Sequence, residues 1–118
     1  MKRLALILLL VPGLAFADAR VEARKRFRQG MALIRDGRFE EGIDQLLEAY
    51  AIKPHPNVLY NVAKAYESLN RPVEALAYYN RYLESDPNDS NDVRKAIARL
   101  EPQVPRLKPC LLYTSRCV

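Results

Sequence analysis

Few side chains in this sequence of 118 residues have the type and spacing that catalysis or metal binding requires. The single histidine, His55, stands between Pro54 and Pro56 with no second His or Cys at ligand spacing, and no Ser sits in a Gly-x-Ser-x-Gly elbow. The four glycines are scattered, so no Gly-rich loop is available to cradle a phosphate. The run from Asp86 to Asp92 carries the oxygens of a calcium loop, but such a loop needs Gly at its sixth place and Glu at its twelfth, where Asn91 and Ile97 stand. Those oxygens suit instead the exposed N–H groups at a helix start. Glu40 and Glu41 lie beside Arg38, which is the pattern of solvated ion pairs rather than of a general acid and base. The denser cations Arg20, Arg24, Lys25, Arg26 and Arg28 read as one solvated helix face. No enzyme, no cofactor and no metal are expected, which leaves binding as the function to be located.

The elements that would build a binding surface lie between two atypical ends. Met1-Lys2-Arg3, the apolar run Leu4 to Val11, Pro12-Gly13 and the small residues before Asp18 make up a secretory leader, with cleavage expected after Ala17. A spanning helix would need about 20 apolar residues without Pro12 and Gly13 inside it, so no membrane anchor is expected after cleavage. The mature protein is thus expected in the periplasm or secreted. At the other end, Cys110 to Ser115 reads as the in-frame translation of the transposase adaptor TGT CTC TTA TAC ACA TCT, so residues 110–118 are expected to be non-native. The alternative is a genuine tail closed by a disulfide between Cys110 and Cys117, which export would permit. Setting the ends aside removes Lys2, Arg3 and Arg116 and lowers the net charge from +5 to +2, with both signs interspersed. Nucleic acid is therefore not an expected partner.

Between those ends the sequence repeats. A shift of 33 residues places Gly30 on Ala63, Leu33 on Tyr66, Arg38 on Arg71, Glu41 on Glu74, Gly42 on Ala75, Leu46 on Tyr79 and Pro54 on Pro87. Each copy holds two helical stripes, such as Leu59, Val62, Ala63, Tyr66 and Leu69, separated by a turn at Gly37 or Asn70 that calls for positive φ. Pro56 and Pro72 fit first helical turns, and Pro54 and Pro87 follow helix ends. Small residues at Gly30 and Gly42, and at Ala63 and Ala75, fall where paired helices must approach closely. Val93, Ile97 and Leu100 add one further helix, ended by Pro102.

These residues resemble the tetratricopeptide repeat (TPR) family. The second copy matches its pattern at Leu59, Val62, Ala63, Tyr66, Ala75, Tyr79 and Pro87, and the first at Gly30, Leu33, Gly37, Phe39, Ala49 and Pro54. Arg26 and Gln29 depart from the usual apolar pair, which suits a helix with no preceding repeat to cover it. The resemblance spans Ala23 to Pro87 and implies an all-α, right-handed helix-hairpin solenoid of two TPR-like repeats plus a C-terminal capping helix. The expected division is a leader at 1–17, hairpins at 18–55 and 56–89, a capping helix at 90–101, a Pro-rich linker at 102–109 and the tail at 110–118.

The resemblance also implies where binding would occur, on the concave surface lined by the first helix of each repeat. Carried over position by position, the expected peptide site comprises Arg24, Phe27, Arg28, Met31, Tyr60, Asn61, Lys64 and Arg94, with Asn57, Glu67 and Lys95 nearby. Rings beside cations and an amide suit a peptide of acidic character; Phe27, Met31 and Tyr60 could equally be core. The family's clamp for a C-terminal carboxylate uses Lys and Asn at positions held here by Phe27 and Met31, so that specialisation is not expected. Tyr78, Tyr79 and Tyr82 are expected to pack between helices. The function implied is a non-catalytic protein-interaction module of the bacterial cell envelope. The alternative is a spacer or self-associating part of a larger envelope protein with a downstream β-sandwich of the PEGA type.

Overall fold

The computed structural model describes residues 13–88 and 90–104, with side chains from Asp18 onward. The leader's residues 1–12, the end of the linker and the tail with its two cysteines lie outside them. Five helices follow one another: α1 (Gly13–Arg35), α2 (Phe39–Ile52), α3 (Pro56–Ser68), α4 (Pro72–Glu84) and α5 (Asn91–Leu100), then a short 3-10 turn at Glu101–Gln103. Among the described residues there is no strand. Helix α1 starts at Gly13, five residues before the hairpin expected from residue 18, because Leu14 to Ala17 favour helix. Pro102 sits inside the 3-10 turn rather than ending the helix, at a first-turn position where its missing N–H is not needed.

Both hairpin turns are built alike. The N–H of Arg38 donates to the Leu33 carbonyl at 2.9 Å and that of Gly37 to Ile34 at 3.0 Å; 33 residues on, Arg71 donates to Tyr66 and Asn70 to Glu67, each at 2.9 Å. This is the Schellman closure, and it requires a left-handed residue, here Gly37 at φ 81° and Asn70 at φ 55°. After α4 the same role falls to Asp86 at φ 51°. Each second helix then opens on an arginine whose guanidinium holds the glutamate three residues on: Arg38 with Glu41, and Arg71 with Glu74.

Within the first hairpin α1 and α2 cross at bare backbone. A Cβ on Gly30 would stand 2.9 Å from the Gly42 carbonyl, and one on Gly42 would stand 2.8 Å from the Gly30 carbonyl. Two apolar clusters lie beyond this crossing. Ile43, Leu46, Val58, Val62 and Ala65 join the first repeat to the second, with Phe27, Met31, Ile34 and Tyr66 packed around them. Leu59, Ala63, Ala75, Tyr79, Tyr82, Val93, Ala96 and Leu100 join the second repeat to α5. Leu46 and Val62 are fully buried, and burial of each such side chain stabilises by about 1.5–3 kcal/mol.

The start of the stack is sealed by polar groups instead. Arg26, at the position of buried Leu59 in the next copy, bonds Glu22 at 2.9 Å, Glu48 at 2.7 Å and Gln45 at 3.2 Å. A cation with three polar partners takes the place of a further apolar layer, as a terminal repeat requires.

Candidate functional site

Helices α1, α3 and α5 bring together Phe27, Tyr60 and Val93, each 33 positions on from the last. Among the described residues, three hollows with common walls lie along this surface. The central one, about 320 Å3, lies between Phe27 of α1, Asn57, Tyr60 and Asn61 of α3, and Asp92 and Val93 of α5. One neighbour, about 270 Å3, shares Tyr60 and Asp92 with it and adds Lys64, Glu67, Lys95 and Arg99. The other, about 330 Å3, shares Phe27 and Asn57 and adds Arg20, Arg24, Lys53 and His55.

Tyr60 is the hinge of this surface. Its ring packs edge-on against Tyr79 at 6.1 Å between centroids and at a tilt against Tyr82 at 5.6 Å, and both of those are buried. Half of Tyr60 is thereby anchored in the second cluster, while the rest lines two hollows. The Lys64 ammonium lies over the same ring at 5.7 Å, a cation–π contact worth about 0.5–1 kcal/mol when exposed. Asn61 donates its Nδ2 to the Asn57 carbonyl at 2.8 Å. What it keeps for the groove is the Oδ1 acceptor and the second N–H of the amide.

The far hollow is braced by a charged network. Tyr79 donates its hydroxyl to Glu67 at 2.9 Å, and Arg99 spans both Glu67 oxygens at 3.0 and 3.1 Å. Burial, then the Glu67 carboxylate, pushes the Tyr79 phenol well above its ordinary value, so it remains a donor at neutral pH. Arg99 thus ties α5 to α3 at a fixed spacing.

The tetratricopeptide repeat profile matches residues 27–90, more than half of the chain. The chain belongs to the tetratricopeptide repeat family. A further likeness is to the photosystem I assembly protein Ycf3 of Rippkaea orientalis, 33% identical over 70 residues and 56% of this chain. The chain spans 40% of that relative's length. TPR units are in general a non-catalytic fold for protein–protein interaction, and the all-α hairpin stack inferred from the sequence is the fold observed.

In this TPR frame the structure brings five of the eight expected site residues to the hollows: Arg24, Phe27, Tyr60, Asn61 and Lys64. Three lie outside them. Arg28 is exposed on α1, Met31 packs against the cluster joining the repeats, and Arg94 is exposed with its Nε 3.4 Å from Ser90 Oγ. Asp92, placed at a helix start by the sequence, and His55, given no binding role there, line the hollows, as does Lys53, which the sequence did not single out. His55 caps α3, its Nδ1 accepting from the Asn57 N–H at 3.2 Å. Extending the 33-residue register into α5 finds Val93 at the place of Phe27 and Tyr60 but puts Asp92 at the place of buried Leu59, so the repeat does not signal Asp92, and Lys53 follows an α2 end that faces α1 only in three dimensions. Among the described residues no three His, Cys, Asp or Glu side chains converge as metal ligands, and no described helix is long and apolar enough to cross a membrane.

Proposed function

We propose that this protein is a non-catalytic adaptor that holds a peptide segment of a partner protein along the α1–α3–α5 surface. The observation that carries the reading is the central hollow, where an aromatic from each repeat, Phe27 and Tyr60, flanks the Asn61 acceptor. Rings supply contact area at low entropic cost, and one fixed acceptor beside them orients a peptide backbone. The relative is by name an assembly protein. By the same logic, we propose that this chain grips a partner while a larger complex is put together, and that the leader-like residues 1–17 place it in the bacterial envelope.

A photo-crosslinking residue at Asn61 is expected to capture a partner in living cells, and the same residue at exposed Val73 on α4 is not. Equal capture at both positions, or none at Asn61, would remove the groove reading. Alkaline phosphatase fused after Gln103 is expected to be active, since it needs an oxidising compartment; an inactive, cell-retained fusion would remove the envelope placement.

A further inference from the structure

The hollow between α1 and the end of α2 differs in charge from its two neighbours. Its floor is apolar, formed by Ala23, Phe27 and Val58, and its rim carries Arg20 and Arg24, one helical turn apart, with Lys53 opposite. No carboxylate lines it, whereas Asp92 lines both other hollows and Glu67 one of them. The cations of this rim are also uncommitted. Arg26, Arg38, Arg71 and Arg99 each hold a glutamate, while Arg20, Arg24 and Lys53 form no ion pair among the described residues. His55 completes the rim. Because its Nδ1 accepts from Asn57, the neutral ring carries its proton on Nε2 and has a donor to give.

We infer that this notch binds an acidic peptide segment, with one apolar side chain on the Phe27 floor and flanking carboxylates on Arg20, Arg24 and Lys53. The inference rests on the groove-binding reading and adds which end of the groove reads charge. Like-signed cations around a hollow with no acid of its own favour an anionic ligand and repel a cationic one. A volume of about 330 Å3 admits one leucine-sized side chain together with adjacent main chain. The partner of stated chemistry is thus a short acidic stretch interrupted by a large apolar residue. The hollow at the opposite end differs in that its cations Lys64, Lys95 and Arg99 share it with two acids of the chain itself, Asp92 and Glu67.

The experiment is fluorescence anisotropy on the full chain with three labelled peptides: Gly-Asp-Glu-Leu-Glu-Asp-Gly, the same peptide with Ser for each acid, and the same with Lys for each acid. The acidic peptide is expected to bind about tenfold or more tightly than the Ser peptide, to weaken as salt rises, and to outcompete the Lys peptide. Arg24→Glu and the milder Arg24→Gln are expected to lose that preference. Lys25→Glu, the same charge change on an exposed neighbour outside the hollow, is expected to keep it, with circular dichroism verifying the helix content of all three variants. Equal losses at Arg24 and Lys25 would reduce the effect to net charge and overturn the notch. Equal binding of the acidic and Ser peptides by the unmodified chain would also overturn it, while leaving the groove reading in place. No binding of any peptide would remove both. Sedimentation showing a stable dimer that the acidic peptide does not dissociate would assign the notch to a second copy of the chain and overturn the peptide occupant.

Discussion

At the scale of single residues, the first hairpin depends on what Gly30 and Gly42 lack. Gly→Ala in a helix ordinarily gains about 1 kcal/mol of propensity, yet here each added Cβ would come within 2.9 Å of a carbonyl on the facing helix. Overpacking of this kind costs about 1–3 kcal/mol, and backbone cannot yield as a side-chain tip can. Gly42→Ala is therefore expected to lower stability by about 1–2 kcal/mol in urea denaturation. In the second hairpin Ala63 and Ala75 occupy the matching places fully buried, so Ala63→Gly is expected to be destabilising as well. The Arg71–Glu74 pair gives a pH signature. Its hydrogen bond to Arg71 holds the Glu74 carboxyl below the ordinary value of 4.5. A lowered folded-state value means the contribution is complete above the unfolded value and is lost as pH falls through the folded one. The melting temperature of Glu74→Gln is expected to lie below that of the unmodified chain at about pH 7 and to converge on it at about pH 2.

At the scale of elements, the turns decide where helices stop. Gly37 has φ 81° with open space around it, so Gly37→Ala adds no clash and isolates the backbone cost of a left-handed residue, about 1–2 kcal/mol. The expected outcome is a loss of that size in chemical denaturation. Asn70→Gly is expected to change stability in the opposite direction, because Asn70 holds φ 55° with a side chain attached. These turns were readable beforehand because left-handed geometry selects residue type locally, and the stripes of α2 and α3 were readable because burial recurs every three or four positions. The site was less so. Tyr79, Glu67 and Arg99 meet across separations of 12 and 32 residues, and nothing in any one helix signals their meeting. Met31 illustrates the converse: its stripe position suits both a groove wall and a core contact, and only the closeness of Ile43 and Leu46 to α1 decides for packing.

At the scale of the whole molecule, each unit touches only its neighbour, so damage should spread by distance along the stack. Val93 is 1% exposed in the junction between the second repeat and α5. Val93→Ala is expected to cost about 2 kcal/mol and to speed amide hydrogen exchange most in α5, less in α3 and α4, and least in α1 and α2. Uniform acceleration would mean that the stack unfolds as one cooperative block. A ladder of rings and guanidinium groups bears on the same question. Tyr66 stacks on Tyr78 at 5.6 Å, Arg81 lies over Tyr78 and Tyr50 at 5.3 and 5.5 Å, and Arg71 lies over Tyr66 at 5.2 Å. Tyr50 belongs to the first repeat and the remainder to the second. The sequence contains no tryptophan, so the near-ultraviolet absorption and dichroism of the protein arise chiefly from tyrosine, with the coupled rings inside the second repeat and Tyr50 joined to them only through Arg81. The molecule therefore carries its own optical reporter of the second repeat: parting of the two hairpins would remove only the Tyr50 contribution, and loss of the remaining ring dichroism would mark unpacking of the second hairpin itself.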